Sequence, residues 1–426
     1  MSQIQPAATV PVSPAYRRYV LTALVVVYAF NFIDRQILGI LAVPIKAELH
    51  LSDTRLGMMG GIAFALFYTF LGIPVARLAD RSSRTWIMTI ALGLWSALTA
   101  ACGMAQNFTQ LFLLRLGVGV GEAGGVAPAY SLICDYYPPA ERARALSLYS
   151  FGIPIGSALG LVAGGVLSTL INWRAAFFLV GAAGLVLVPI FRLTVREPAR
   201  GLFDGAPAND TKPTLLAVGA VLFRKPSFWA LALGAASSSM MGYAAFFWFP
   251  SFFHRSFGLS VYNASVDFGA IYLAGGLTGM WLGGVLADRF GASHKGAYAA
   301  VPAVAFACVL PFFVVALLST SLPLTLGVLI VPVALSLAWL GPVLAAVQHL
   351  VPATMRTTAS AIFLFINNLI GIGIGTFAIG ALSDAMQYRF GAESLRYAIL
   401  AGSGFYLVAA AFLLFAARRL ERDWER

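Results

Sequence analysis

Twelve long apolar runs dominate this chain of 426 residues. A helix needs about 20 apolar residues to cross a bilayer. Runs near 19–44, 54–79, 85–105, 108–135, 143–170, 173–195, 228–255, 262–287, 296–319, 322–350, 355–383 and 394–417 meet that need. The reading is an all-α membrane protein with twelve transmembrane helices in two six-helix halves. Composition closes the alternatives: 60% of residues are hydrophobic and 11% charged, against roughly 45–50% and about 25% in soluble domains. The 42 glycines have no triplet period, and the three cysteines (Cys102, Cys134, Cys308) sit in or beside apolar stretches, so neither a collagen-like nor a disulfide framework is implied. Residues 1–15 are Pro/Ser-rich and polar, and no small-residue cleavage site follows the first run, which is expected to remain as a span.

The formal charge of +11 does not point to nucleic acid, because the basic residues sit in short loops between spans. Under this threading the termini and the loops on their side carry 20 Lys/Arg, the opposite loops carry 6 and 2 lie within spans. The richer side is read as cytoplasmic, giving a multi-pass protein of the cell inner (plasma) membrane with both termini cytoplasmic. The expected organisation is a tail over 1–18, a first half over 19–197, a linker over 198–227, a second half over 228–417 and a tail over 418–426. The linker contains Pro198, Pro207 and Pro213, and its apolar part Thr214–Phe223 is expected to lie along the membrane surface.

An internal repeat supports the division. Leu-Ala-Asp80-Arg81 follows the second span and Leu-Ala-Asp288-Arg289 follows the eighth, 208 residues later. Duplicated halves with the substrate site between them are a common plan of secondary transporters. The surrounding Ala76-Arg-Leu-Ala-Asp80-Arg81-Ser-Ser83-Arg84 and Gly284-Val-Leu-Ala-Asp288-Arg289-Phe-Gly291 resemble the signature loop of the Major Facilitator Superfamily; the first copy has Ala76 and Ser83 where Gly is usual. The resemblance implies a gate in which each Asp meets the start of a helix in the other half. A carboxylate there gains about 0.3–1 kcal/mol. Asp80 would meet the start of span eleven at Pro352–Arg356, and Asp288 the start of span five near Glu141 and Arg142. The expected gate residues are Asp80, Arg81, Arg84, Asp288, Arg289, Arg142 and Arg356.

Four charges lie inside spans of the first half: Asp34 and Arg35 in span one, Arg115 and Glu122 in span four. Each costs roughly 2.5–3.5 kcal/mol at mid-membrane on insertion scales, so mutual pairing around a wet cavity is expected. Arg115 and Glu122 are seven residues apart and share a helix face, while Gly117, Gly121 and Gly125 fall elsewhere and are expected to meet a neighbouring helix. Span five carries a matching ridge at Gly152, Gly156, Gly160 and Gly164. An anion engaging Arg35 or Arg115 would withdraw the partner of a carboxylate, so Asp34, and after it Glu122, are the candidate proton carriers.

The second half is aromatic instead. Span seven runs from Ser237 through Tyr243, Phe246, Phe247, Trp248 and Phe249, span ten offers Trp339, and span eleven offers Phe363, Phe365, Asn367 and Asn368. The expected cavity lining is Asn31, Tyr243, Phe247, Trp339 and Asn367. One charged wall and one apolar wall suit an amphiphile with a charged head and a long tail.

Residues 28–201 resemble the Spinster family of lipid transporters more closely: Phe32-Ile-Asp34-Arg35, Arg115-Leu-Gly-Val-Gly-Val-Gly121-Glu122-Ala, Ala127-Pro-Ala, Ile153-Pro154-Ile-Gly156-Ser-Ala-Leu-Gly160 and Val195-Arg-Glu-Pro198. The resemblance implies a bacterial member moving sphingosine 1-phosphate or a lysophospholipid by proton-linked alternating access. Asp34, Arg35, Arg115 and Glu122 match its intramembrane charges, and Arg142 and Arg144 its basic loop. Gly160-Leu161-Val-Ala-Gly164-Gly165 resembles the span-five signature of antiporters, with Leu161 where Pro is usual. No cofactor beyond a proton gradient is expected, no metal site, no nucleic acid and no enzyme chemistry, and a monomer is the default. The competing readings are a transporter of a small organic anion or drug and a non-transporting lipid sensor.

Overall fold

The computed structural model describes residues 13–200, 202–203, 214–352 and 355–424. The first half holds α1 (Pro14–Leu49), α2 (Asp53–Gly60), α3 (Ile62–Arg81), α4 (Arg84–Cys102), α5 (Phe108–Glu122), α6 (Val126–Tyr136), α7 (Pro139–Ser150), α8 (Gly152–Leu170) and α9 (Trp173–Thr194). A short helix, α10 (Leu215–Phe223), leads into the second. That half holds α11 (Pro226–Phe257), α12 (Val261–Gly291), α13 (Ala297–Leu318), α14 (Leu322–Leu337), α15 (Leu340–Gln348), α16 (Arg356–Phe390), α17 (Ser394–Gly402) and α18 (Phe405–Asp423).

Among the described residues, eleven helical stretches are long and apolar enough to cross a membrane. The last of them, 358–423, has 66 residues, about 99 Å of helix at 1.5 Å per residue, and so holds two crossings of a roughly 30 Å core. The chain reverses inside it at a 3₁₀ turn, Gly391–Glu393, where Gly391 takes φ +55°, a conformation open mainly to glycine. Ser383 and Ser394 hydroxyls then meet at 3.2 Å across the reversal.

Hydrogen-bonding side chains in the loops set where many helices begin. Ser52, Ser83, Asn107, Asn172 and Ser260 each accept a backbone N–H from the first turn of α2, α4, α5, α9 and α12. Such caps contribute about 1 kcal/mol each. Thr214 caps α10 in the same way, with Val218 and Leu222 buried and Leu216 and Phe223 exposed. Pro207 and Pro213 of the expected linker lie outside the described residues.

Glycines decide which helices touch. A β-carbon at Gly156 or Gly160 would strike the α1 backbone at Ala29 or Ile33, and one at Gly121 would strike α4 at Trp95. Both expected ridges thus face neighbouring helices, where a missing side chain permits close packing in lipid. The second half repeats the device, with Gly279 and Gly283 against the carbonyls of Ala334 and Ala338.

Candidate functional site

α1 and α5 meet along their charged faces at the centre of the first half. Arg115 Nη1 lies 3.2 Å from Asp34 Oδ1, and Thr99 on α4 donates to Asp34 Oδ2 at 2.7 Å. From the next residue of α1 to a position two turns further along α5, Arg35 Nε donates to Glu122 Oε2 at 2.7 Å. The four charges therefore form two pairs, each joining α1 to α5. Asp34 pairs with Arg115 rather than with its neighbour Arg35. The mutual pairing is as expected, and its surroundings are not. Arg115 and Glu122 are buried and face α1 rather than a wet cavity.

Each pair leaves a buried guanidinium nitrogen unpartnered, Arg115 Nε in the first and Arg35 Nη2 in the second, and the pairs differ at their carboxylates. Asp34 is held by two donors from two helices and is buried. In the other pair Glu122 Oε1 and Arg35 Nη2 are both buried and have no hydrogen-bond partner. Arg35 is compensated by ring faces instead: its guanidinium carbon lies 4.9, 4.7 and 4.4 Å from the centroids of Phe32, Phe64 and Tyr68, each contact worth about 0.5–2 kcal/mol. Phe64 and Ala65 pack on Ile372 of the second half, with Tyr68 and Tyr243 against them. The junction of the halves is therefore next to Arg35.

The remaining expected lining residues have distinct surroundings. Tyr243 lies at that junction. Phe247 packs on the α1 backbone at Gly39 and on Gly60 of α2. Trp339 is buried edge-on to Phe363, and Asn367 accepts a hydrogen bond from Ser239 at 2.9 Å. Asn31 is 2% exposed, its amide atoms have no partner, and it borders a small void with Tyr28, Trp95 and Tyr149.

The halves are tied at the end opposite the termini. Asp53, at the start of α2, is buried and receives Arg255 Nη1 and Nη2 at 2.7 and 2.5 Å, Lys46 Nζ at 2.5 Å and the Ser383 hydroxyl at 2.7 Å. Asp384 of α16 accepts the backbone N–H groups of Asp53 and Thr54 at 3.0 and 2.8 Å. A carboxylate from one half thus sits on a helix N-terminus of the other, the arrangement expected of the repeated motif but at the opposite end of the molecule.

At the termini end the motif residues are engaged differently. Asp288 accepts from the Tyr298 hydroxyl at 3.2 Å, within its own half. Among the described residues Glu141 lies 3.7 Å from Arg17, and Arg142 Nε donates to the carbonyls of Cys134 and Tyr137, so the contacts found for Asp288, Glu141 and Arg142 are with other groups than the expected ones. Arg84 is fully buried, pairing with Asp135 and, at 2.7 Å, with Glu197. Glu197 also accepts the Thr85 N–H at 2.8 Å and the Ser83 hydroxyl at 2.9 Å. Burial raises its carboxyl, but the Thr85 N–H, Arg84 and Ser83 outweigh that and hold it below the ordinary range. Arg81, Arg289 and Arg356 are exposed; the side chain of Asp80 and residues 353–354 lie outside the described residues.

Sequence reasoning missed Thr99, Tyr68, Asp53, Arg255, Asp384 and Asp135, and quoted Glu197 only within the Val195–Pro198 motif, without its role. Asp53 and Arg255 carried a signal, being opposite charges on the side where basic residues are few. Thr99 and Tyr68 carried none beyond their polarity.

Comparison with known proteins places this geometry. A sequence profile of the Major Facilitator Superfamily matches residues 24–376. An MFS-type efflux pump of Mycolicibacterium smegmatis is 34% identical over 402 residues, covering 94% of this chain and 92% of that protein. Protein spinster homolog 1 of Xenopus tropicalis is 29% identical, over 97% of this chain and 83% of its own. A crystal structure of a bacterial homolog to the human lysosomal transporter Spinster, inward-facing and unoccupied, superposes with a TM-score of 0.90 at 32% identity, covering 97% of this chain and all of that one.

Proposed function

The chain belongs to the Major Facilitator Superfamily and is a transporter related to the Spinster proteins; from that premise we propose that it carries an amphiphilic lipid, such as sphingosine 1-phosphate or a lysophospholipid, coupled to protons. The observation that supports this most is the inequality of the two carboxylates: Asp34 has both oxygens engaged, Glu122 only one. Arg35 keeps one guanidinium nitrogen unpartnered beside the junction of the halves, and Glu122 keeps one carboxylate oxygen unpartnered behind it.

An anionic head group reaching Arg35 competes with Glu122 for the same guanidinium. Glu122, losing its cation in a buried site, is then better accommodated as the neutral acid and takes up a proton. When the head group leaves, Arg35 returns to Glu122 and the proton is released. Asp34 and Arg115 form a second such exchange, held more tightly by Thr99. Tyr243, Phe247 and Trp339 supply the apolar side for a tail, with Asn367 a polar group among them. Alternation breaks the Asp53 and Asp384 contacts at one end and makes the motif contacts of Asp80, Asp288, Arg142 and Arg356 at the other. The excess of basic residues on the termini side supports an inner-membrane protein with both termini cytoplasmic. The proposal takes a monomer as the transporting unit.

The test is flux in proteoliposomes loaded with labelled sphingosine 1-phosphate or lysophospholipid under an imposed pH gradient. Gradient-driven flux in wild type, lost in Glu122→Gln and in Asp34→Asn, is the expected result. Flux that ignores the gradient in all three proteins overturns the coupling. A second reading, transport of a small organic anion or drug, is favoured by the M. smegmatis efflux pump. It predicts that head groups without tails compete as well as the intact lipid.

A further inference from the structure

A crevice of about 460 Å³ opens on the outer, membrane-facing surface of the second half, away from the charged site. Consecutive helices α12 and α13 form its walls and α14 its floor. Small residues at the floor leave room for the crevice: Gly279 and Gly283 on α12 pack against Ala334 of α14 and Ala338 just after it. The walls are Leu282, Leu286 and Val304, all exposed. Phe290 marks one end and Cys308 the other.

Its dimensions and chemistry select an occupant. Lining residues run from Gly279 to Phe290 on α12 and from Ala297 to Cys308 on α13, about 16 Å along each helix. That is about half of the roughly 30 Å hydrocarbon core, so the crevice spans one leaflet, beginning at the termini end. Its lining is apolar throughout, and it faces the bilayer. At the termini end it opens beside Arg289, an exposed cation in the last turn of α12. The neighbouring Asp288 is occupied by Tyr298.

We propose that this crevice binds one acyl chain of an anionic phospholipid from the termini-side leaflet, with Arg289 on its phosphate. The site is independent of the transported substrate and goes beyond the proposed function.

Native mass spectrometry of the detergent-solubilised protein with equal phosphatidylglycerol and phosphatidylcholine tests it. Wild type is expected to retain one phosphatidylglycerol in preference. Ala300→Phe, which fills the crevice from α13, is expected to release it. Arg289→Gln is expected to keep a lipid but lose about fivefold of the head-group preference, the worth of one cation near an anionic surface. Equal retention of the two lipids by wild type, or unchanged retention in both variants, overturns the proposal in favour of ordinary surrounding lipid. Energy transfer between labelled copies that Ala300→Phe abolishes overturns it in favour of a second copy of the chain. A reading without a filled crevice uses bimane on Cys308 with Cys102→Ala and Cys134→Ala. Brominated-chain phosphatidylglycerol is expected to quench it more strongly than brominated phosphatidylcholine, and equal quenching overturns the site.

Discussion

The two halves share a helix plan and fill it with opposite chemistry. The first half is held at its centre by Asp34–Arg115 and Arg35–Glu122. The second is held by rings: Phe249 lies 5.3–6.0 Å, centroid to centroid, from Phe252, Phe253, Phe268 and Phe313. Ion pairs are directional and depend on each partner's presence, whereas ring packing is a sum of many small contacts. A half built on charges can respond to a charged ligand. A half built on rings offers surface without selectivity for charge.

The sharpest way to break this contrast is to remove one member of each kind. Arg115→Leu strands Asp34 in a buried site and is expected to cost about 3–5 kcal/mol, read by unfolding in detergent. Adding Asp34→Asn should return much of that loss. Phe249→Ala is expected to cost about the same 3–5 kcal/mol, but adding Phe313→Ala should deepen the loss. If both double variants fall alike, the distinction between the halves fails.

Next in size is the seam that holds α1 to α8. Gly156→Val pushes a side chain into the α1 backbone at Ala29 and is expected to cost about 1–3 kcal/mol, with spin-label distances between α1 and α8 increasing. Unchanged distances would show that the ridge is not what seats α1.

Where the halves meet, Asp384→Asn removes a carboxylate from the N-terminus of α2. A loss of about 0.3–1 kcal/mol is expected to shift the population severalfold toward opening at that end, measured by paired spin labels across the loops near 52 and 258. A population that does not move would locate the tie in Asp53 and Arg255 alone.

The smallest expected effect distinguishes the two motif copies. Arg84 after the first copy is locked by Asp135 and Glu197; Asp288 in the second holds only Tyr298 among the described residues. Glu197 has a lowered folded pKa, so its stabilisation is full above the ordinary carboxylate range and is lost as pH falls through the folded value. Its side chain is 30% exposed, and the effect is expected to stay within about 1 kcal/mol. The stability gap between wild type and Glu197→Gln should close as pH drops toward 3; a gap that persists there would assign the effect to packing.

The sequence carried the helices and the four central charges because both leave local marks: apolar runs of spanning length, and charges where none is tolerated unpaired. Pairing was less legible. Asp34 with Arg115 and Arg35 with Glu122 join positions 81 and 87 residues apart, and no spacing within either helix chooses between partners. The repeated motif gave the right physics, a carboxylate on a helix start, yet Asp384 supplies it at the other end from a position with no sequence signature. The Arg35 ring cage was hidden for a similar reason, since Phe64 and Tyr68 look like ordinary lipid-facing residues until α3 is packed.

The confinement of all four central charges to one closely seated group of helices has a kinetic consequence. When two halves rock against each other, groups within one half travel together, so the rocking itself pulls neither Asp34–Arg115 nor Arg35–Glu122 apart; only an arriving head group does. The activation barrier to rocking then falls on the exchange of contacts at the two ends, where water can replace each lost partner. Speed and coupling are thus set in different places. The loops govern how often the protein alternates, and the buried pairs govern what each cycle carries.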